Sequence, residues 1–444
     1  MMKKKKLLLI PLILSSLMCL TSCNEVQQFF SELLDENAFS YSNKYNPPVS
    51  TSENIVNPDA VVAGGVVAKD AEETPNAYCF KNISYAKNDK IANTYKTGET
   101  NANGLNVNNE EDYPGSMYDN NYDLYVPKSL EKNQKHVVIL FIHGGAWISG
   151  FKTDVNSYIH DFANKGYISA TLKYTLLDKS MSDRSLSIFR DLDEIDACIA
   201  SIKSALEDLD FDTTKTNLVI GGASSGAHLA MLYSYSRGHK SPLPIKFVID
   251  AVGPVDIKPD NWKGYANMNA EEFEAALDAG IGYTQIEDLR TNNKLSPLRV
   301  SDGSSVSYNW NDYQTMRIAN GMCGIPYTPE EIEAATDGSK TNIVNPNTAS
   351  EAMTKVGGGE DQLSVTYWMN KTTNRFPIIA AYAGKDGVVG IAQYAALEHA
   401  MDTLSIEHEY YYFRDSGHTN ISENETEYNK FVNKITEWCG NILL

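Results

Sequence analysis

Apolar and polar positions along the chain fall into two recurring patterns, and their order predicts a mostly parallel sheet covered by helices. Val137-Val138-Ile139-Leu140-Phe141-Ile142 is a continuous apolar run, the pattern of a strand buried on both faces. Tyr167 to Leu172, Leu218-Val219-Ile220, Phe247 to Val252 and Phe376 to Ala383 are further strand candidates, and Glu409 to Phe413 supplies the last one. Between them Phe189, Leu192, Ile195, Ile199, Ile202 and Leu206 recur every three or four residues and form one helical stripe. A helix following Ser224 ends near Gly238, another runs from about Ile391 to Met401, and a last one carries Tyr428, Phe431, Ile435 and Trp438 on one side. Strand, helix, strand, helix in this order implies parallel strands joined by crossovers, an α/β fold. Tyr122 to Pro127 alternates and ends at proline, which suits a strand that stops at a sheet edge. Tyr78-Cys79-Phe80 and Ile83-Ser84-Tyr85 are also strand-like.

The alternation breaks after Pro254, and residues 258–375 read as a large, mostly helical insertion packed over the sheet. Asn269 stands three before Glu272, and Thr328-Pro329-Glu330-Glu331 has proline at a first helical position. Trp262, Trp310 and Trp368 lie in this segment; they suit the insertion's own core better than a binding cleft. The α/β core is thereby split into 76–257 and 376–444. Ahead of it, Lys3 to Lys6 form a basic region, Leu7 to Leu17 an apolar one, and Leu20-Thr21-Ser22-Cys23 closes the stretch. The apolar run is too short to span a bilayer and has the form of a signal peptide over 1–22. Leu-Thr-Ser-Cys resembles a bacterial lipobox. That resemblance implies an exported lipoprotein of the cell envelope, acylated at Cys23 and held to a membrane, with 23–75 as a polar tether.

The formal charge of −19 becomes −23 once the four leader lysines are subtracted. Such a surface repels nucleic acid, so no nucleic-acid partner is expected. Cys79, Cys198, Cys323 and Cys439 are widely spaced without any C-x-x-C, which argues against a zinc site. Cys198, on the apolar side of its helix, is expected to be a buried thiol.

Four short stretches carry candidate chemistry: His143-Gly144-Gly145-Ala146-Trp147, Gly222-Ala223-Ser224-Ser225-Gly226, Gly384-Lys385-Asp386 and Gly417-His418. Each follows a strand run, and in a parallel sheet such strand ends share one edge, where the loops converge. Gly-x-Ser-x-Gly between a strand and a helix fits a nucleophile elbow, and the chain order Ser, Asp, His is that of an α/β-hydrolase. The sequence resembles that family, closest to the esterase and lipase branches with a His-Gly-Gly-Gly-type loop, hormone-sensitive-lipase-like and feruloyl-esterase-like members included. Tyr122 to Pro127 and Ser296-Pro297 add to the likeness, which covers about 120–257 and 376–444.

The chemistry assigns separate parts. Ser224 needs a base to take its proton during attack; His418 can accept it and return it to the leaving alcohol; Asp386 would fix the imidazole tautomer. The oxyanion needs pre-aimed donors, for which Ser225 N–H follows the nucleophile directly, and the resemblance adds Gly145 and Ala146. Ala146 replaces the third loop glycine. Asp256, Asp361 and Asp415 compete for the acid role, Asp256 because some relatives place it one strand earlier. His143 and His228 read as structural. The reading is a serine carboxylic-ester hydrolase needing neither metal nor cofactor, acting on a small-molecule or polysaccharide-borne ester. Its alternatives are an amidase or arylformamidase and a non-catalytic surface binding protein.

Overall fold

A computed structural model describes residues 73–86, 120–147, 149–177, 187–256, 298–299, 305–306, 363–386, 388–389, 392–419 and 421–444. Ten strands lie in these segments: β1 (Ala77–Ala86), β2 (Asn120–Pro127), β3 (His136–Ile142), β4 (Ile168–Leu172), β5 (Thr216–Ala223), β6 (Ile245–Ala251), the two-residue β7 (Leu298–Arg299) and β8 (Ser305–Val306), β9 (Ile378–Ala383) and β10 (His408–Phe413). Eight of them form one sheet in the order β1-β2-β4-β3-β5-β6-β9-β10. β2 pairs antiparallel with β1 and β4, and the pairings from β4 through β10 are parallel.

Every residue of β3 is buried, because helices cover both faces. Val138, Leu140 and Ile142 enter one apolar layer, with α2 (Ile188–Asp208), α3 (Ser225–Arg237), α4 (Val365–Lys371) and α5 (Ala392–Thr403). Val137, Ile139 and Phe141 enter the other, with α1 (Asn156–Asn164) and α6 (Glu425–Leu443). The strand period of two thus divides one apolar run between two cores. Each such side chain removed from water contributes about 1.5–3 kcal/mol. Among the described residues no helix is long and apolar enough to cross a membrane.

Two expectations are corrected. β2 is not at the edge: β1 covers it, pairing Ala77 with Pro127, and Lys128 N–H donates to Asn76 O at 2.8 Å. Proline ends the strand there without leaving it an edge. The two strand-like pieces before it are one strand, with a register shift between Phe80 and Ile83. Most of the expected tether lies outside the described residues, but its end touches the domain, since Glu73 Oε2 pairs with His160 Nδ1 at 2.7 Å. Cys79, Cys198 and Cys439 are buried free thiols; Cys323 lies outside the described residues.

The insertion leaves and re-enters at a closed neck. Val365 N–H donates to Val255 O at 2.8 Å, and Ser364 Oγ to Asp256 Oδ1 at 2.9 Å. Gln393 Oε1 accepts from both Val255 and Asp256 N–H at 2.8 Å. Leu363, Val365 and Met369 are buried in the main core, and Trp368 packs against it, so this tryptophan belongs to the core around the sheet. Apart from these residues and the β7–β8 pair, the insertion lies outside the described residues, Trp262 and Trp310 with it.

Candidate active site

The serine turn is built by contacts that only glycine allows. Ser224 has φ +54° and ψ −124°, a conformation that costs energy and persists where surrounding structure imposes it. Its N–H donates to Ala251 O at 2.8 Å, and its carbonyl accepts His228 N–H at 3.1 Å, already within α3. A Cβ on Gly222 would lie 2.4 Å from Gly226 C, and one on Gly226 would lie 2.2 Å from Ile142 O. Helix α3 can therefore start only where β3 and β5 leave no room for a side chain.

His418 stands between Ser224 and Asp386. Its Nε2 is 2.8 Å from Ser224 Oγ and its Nδ1 2.7 Å from Asp386 Oδ2. A carboxylate only accepts, so Nδ1 carries the hydrogen and Nε2 offers a lone pair to the hydroxyl. Asp386 Oδ1 accepts Val388 and Val389 N–H, both at 2.8 Å. The acid and base loops are joined by Lys385 N–H to Ser416 O at 3.0 Å. Asp256 instead accepts from Ser364, and Asp415 pairs with Lys385 on the surface. Asp361 lies outside the described residues.

The glycine loop after β3 presses on the serine: a Cβ on Gly144 would sit 3.0 Å from Ser224 Cβ. Gly145, Ala146 and Trp147 follow with φ +121°, +52° and +61°, placing three consecutive residues in the left-handed region. Ser149 N–H and Oγ–H both donate to Gly145 O, at 3.0 and 2.8 Å, and Leu177 N–H donates to Trp147 O at 2.9 Å. Ser225 N–H, in the first turn of α3, belongs to the donors that have no acceptor within their own helix. Among the described residues no group of three or more His, Cys, Asp or Glu side chains is disposed to hold a metal ion.

Residues 122–305 match the BD-FAE family model. The match covers less than half of the chain, and the eight-stranded sheet has the α/β-hydrolase fold. The match includes the glycine loop and the serine turn and ends before the loops of Asp386 and His418. Solved structures similar to the hydrolase include esterase B from Lactobacillus rhamnosis, 11% identical, covering 85% of this chain and 91% of that one with a TM-score of 0.47. Another is Thermogutta terrifontis esterase 2 phosphonylated by sarin, 13% identical, covering 74% and 92%, TM-score 0.44. A truncated carbohydrate esterase from gut microbiota is 15% identical, covering 82% and 96%, TM-score 0.46. Among curated proteins, the non-reducing polyketide synthase adrD of Penicillium rubens is 27% identical over 169 residues, 36% of this chain. The chain spans 6% of that protein's length.

Two histidines of the α/β-hydrolase sit close behind the serine. His143 is stacked on Tyr174 with ring centroids 4.5 Å apart, and its Nδ1 is 2.8 Å from Gly144 O. His228 Nε2 is 2.7 Å from Leu363 O. Burial pushes both imidazoles down to about 4, so both stay neutral near pH 7. Sequence reasoning missed Val252, whose φ of +52° is unusual for a β-branched residue. It follows the carbonyl that holds Ser224 N–H, and no local sequence signal marks it.

Asp250 was also missed. It lies beside Gly222 in the sheet, its Oδ1 accepts Gly253 N–H at 2.8 Å, and Tyr382 Oη is 2.7 Å from both Asp250 Oδ2 and Gly253 O. One phenol proton cannot serve two acceptors. Both contacts are satisfied when Tyr382 donates to the carbonyl and a protonated Asp250 donates to Tyr382. Burial pushes this carboxyl up to about 7, against the hydrogen bonds from Tyr382 and Gly253. A pKa raised on folding contributes stability that is complete below the unfolded value, near 3.9, and is lost as pH rises to the folded one. Asp250→Asn reproduces the protonated acid, accepting from Gly253 and donating to Tyr382. It should melt with wild type at pH 4 and exceed it at pH 8 by on the order of 4 kcal/mol. Urea unfolding at both values measures this, and parallel stabilities across the range would refute it.

Proposed function

We propose that the protein is a serine carboxylesterase acting through an acyl-enzyme. The observation that supports this most is the hydrogen-bonded line Ser224–His418–Asp386, at a strand edge where the glycine loop touches the serine. Ser224 Oγ attacks the ester carbonyl while His418 Nε2 takes its proton, and Asp386 offsets the imidazolium charge. The carbonyl electrons move onto oxygen, where the N–H groups of Ser225, Gly145 and Ala146 are the proposed donors. Collapse of the intermediate breaks the carbon–oxygen bond to the alcohol, which leaves with the proton from His418. Water, deprotonated by the same imidazole, then cleaves the acyl–serine ester and restores Ser224.

The test is hydrolysis of short p-nitrophenyl esters together with labelling by a fluorophosphonate. Absence of both would overturn the reading and favour a binding protein on this scaffold. Faster cleavage of an N-formyl-aryl amide than of its ester would make it an arylformamidase. Panels of acetylated xylan, feruloyl esters and triglycerides then define the ester class.

We also propose envelope anchoring through Cys23, which lies outside the described residues, on the strength of the leader and lipobox-like sequence. Labelled palmitate should enter the wild-type protein in a bacterial host and be lost in Cys23→Ala. Equal labelling of the two removes the proposal.

A further inference from the structure

Three consecutive left-handed residues do not hold themselves in place; packing around them must do it. Backbone bonds fix the two ends of the loop, Gly145 O through Ser149 and Trp147 O through Leu177 N–H. Between them Ala146 packs partly buried against the core, and the Trp147 side chain, 9% exposed, is the large group that reaches into it. Its indole meets the imidazole of His228 edge to face, with centroids 5.3 Å apart and planes at 86°. Offset or edge-to-face rings of this spacing attract beyond their buried area.

His228 is fully buried in the first turns of α3, four residues after Ser224. Its other end is held as well. Leu363 O, 2.7 Å from Nε2, only accepts, so that nitrogen carries the hydrogen and Nδ1 is left as a bare acceptor. Nδ1 and the indole N–H of Trp147 are both buried without a hydrogen-bond partner among the described residues. They are an acceptor and a donor on two rings already in contact. Neither belongs to the Ser224–His418–Asp386 line.

We propose that His228 is a positioning residue for ester cleavage, bracing Trp147 and through it the Gly145 and Ala146 amides, while Leu363 O fixes the imidazole. The inference rests on the serine-esterase reading. A ring that merely filled space would set stability alone. A brace sets how well the loop amides meet the oxyanion, so its loss lowers kcat with little change in KM.

Two substitutions separate the two ends of the imidazole. His228→Gln can still donate to Leu363 O but removes the ring edge from Trp147; His228→Phe keeps the ring and gives up the donor. Rates on p-nitrophenyl acetate are referred to active serine titrated with a fluorophosphonate, so that unfolded protein does not count. For His228→Gln, kcat should fall about tenfold with KM within about twofold, and the midpoint of the acid limb of the pH profile should not move. His228→Phe should keep more of kcat than His228→Gln while melting at a lower temperature. Trp147→Ala should lose kcat similarly, and combining it with His228→Gln should add little, because the histidine acts through the tryptophan.

Unchanged kcat per titrated serine in His228→Gln, or losses that multiply in the double variant, would overturn the proposal. If neither histidine variant yields titratable enzyme, Trp147→Phe against Trp147→Ala decides. The phenyl ring should keep most of kcat and alanine should not; equal rates would overturn the brace. Should wild type itself neither hydrolyse the ester nor take the label, the serine-esterase reading fails and the brace, proposed for that reaction, falls with it; a wild type that does both while His228→Gln keeps its full rate overturns the brace alone.

Discussion

Ser224→Ala is expected to lower kcat on a short p-nitrophenyl ester by about ten-thousandfold or more, with the melting temperature nearly unchanged. The substitution removes one oxygen. Ser224 Cβ, which Gly144 approaches so closely, remains, and the His418–Asp386 bond does not depend on the hydroxyl. Alanine meets the same backbone penalty at φ +54° as serine does. The loss should also be shared: His418→Ala placed on top of Ser224→Ala should cost little more, since the base has no proton left to take. Steady-state rates and fluorophosphonate labelling of the two single variants and the double one provide the check. Persistent labelling in Ser224→Ala would move the nucleophile, with Ser225 the first residue to examine.

Gly226→Ala should damage both stability and catalysis, although helix propensity alone argues for a gain of about 1 kcal/mol. A Cβ at that position would lie 2.2 Å from Ile142 O and 2.4 Å from His143 O. Both are backbone atoms of buried residues at the end of β3, so relief requires α3 to move away from the sheet. That shift opens space under α3 and carries Ser224 with it. A destabilisation of about 3 kcal/mol or more is expected, and kcat should fall about a hundredfold, because misplacement by about 1 Å is enough. Urea unfolding gives the first quantity and active-serine titration with steady-state kinetics the second. A variant as stable and as active as wild type would mean that the turn tolerates a side chain where the geometry leaves none.

Strands β3 to β6 and β9 were legible because burial on both faces leaves largely apolar runs, half-buried β10 because of its aromatic residues, and α2 and α6 because their stripes repeat at helical spacing. The four loops could be assigned to one edge from strand order alone. The place of β2 was not legible, since proline at a strand end is compatible with an edge and with an interior strand that simply stops. Asp250 also escaped, and His228 reads as structural without its partners. Their protonation follows from Tyr382, Gly253 and Leu363, partners between 3 and 135 residues away in sequence. Local pattern carries no information about such pairings. Val252 shows the same limit, because tertiary bonds on both sides impose a backbone angle that its own side chain disfavours.

The closed neck also bears on how this protein can change over evolutionary time. Val255–Asp256 and Leu363–Val365 are bonded to each other and to Gln393, so the roughly one hundred residues between them enter and leave at a single point. The entropy cost of closing a connection grows by only about 0.6 kcal/mol for each doubling of its length. Whole segments there can lengthen, shorten or be exchanged without altering the register of β6 against β9. Selection can then redraw the surroundings of the strand edge while the bond-breaking machinery stays fixed, and lineages sharing this core are free to diverge in substrate with few compensating changes beneath it.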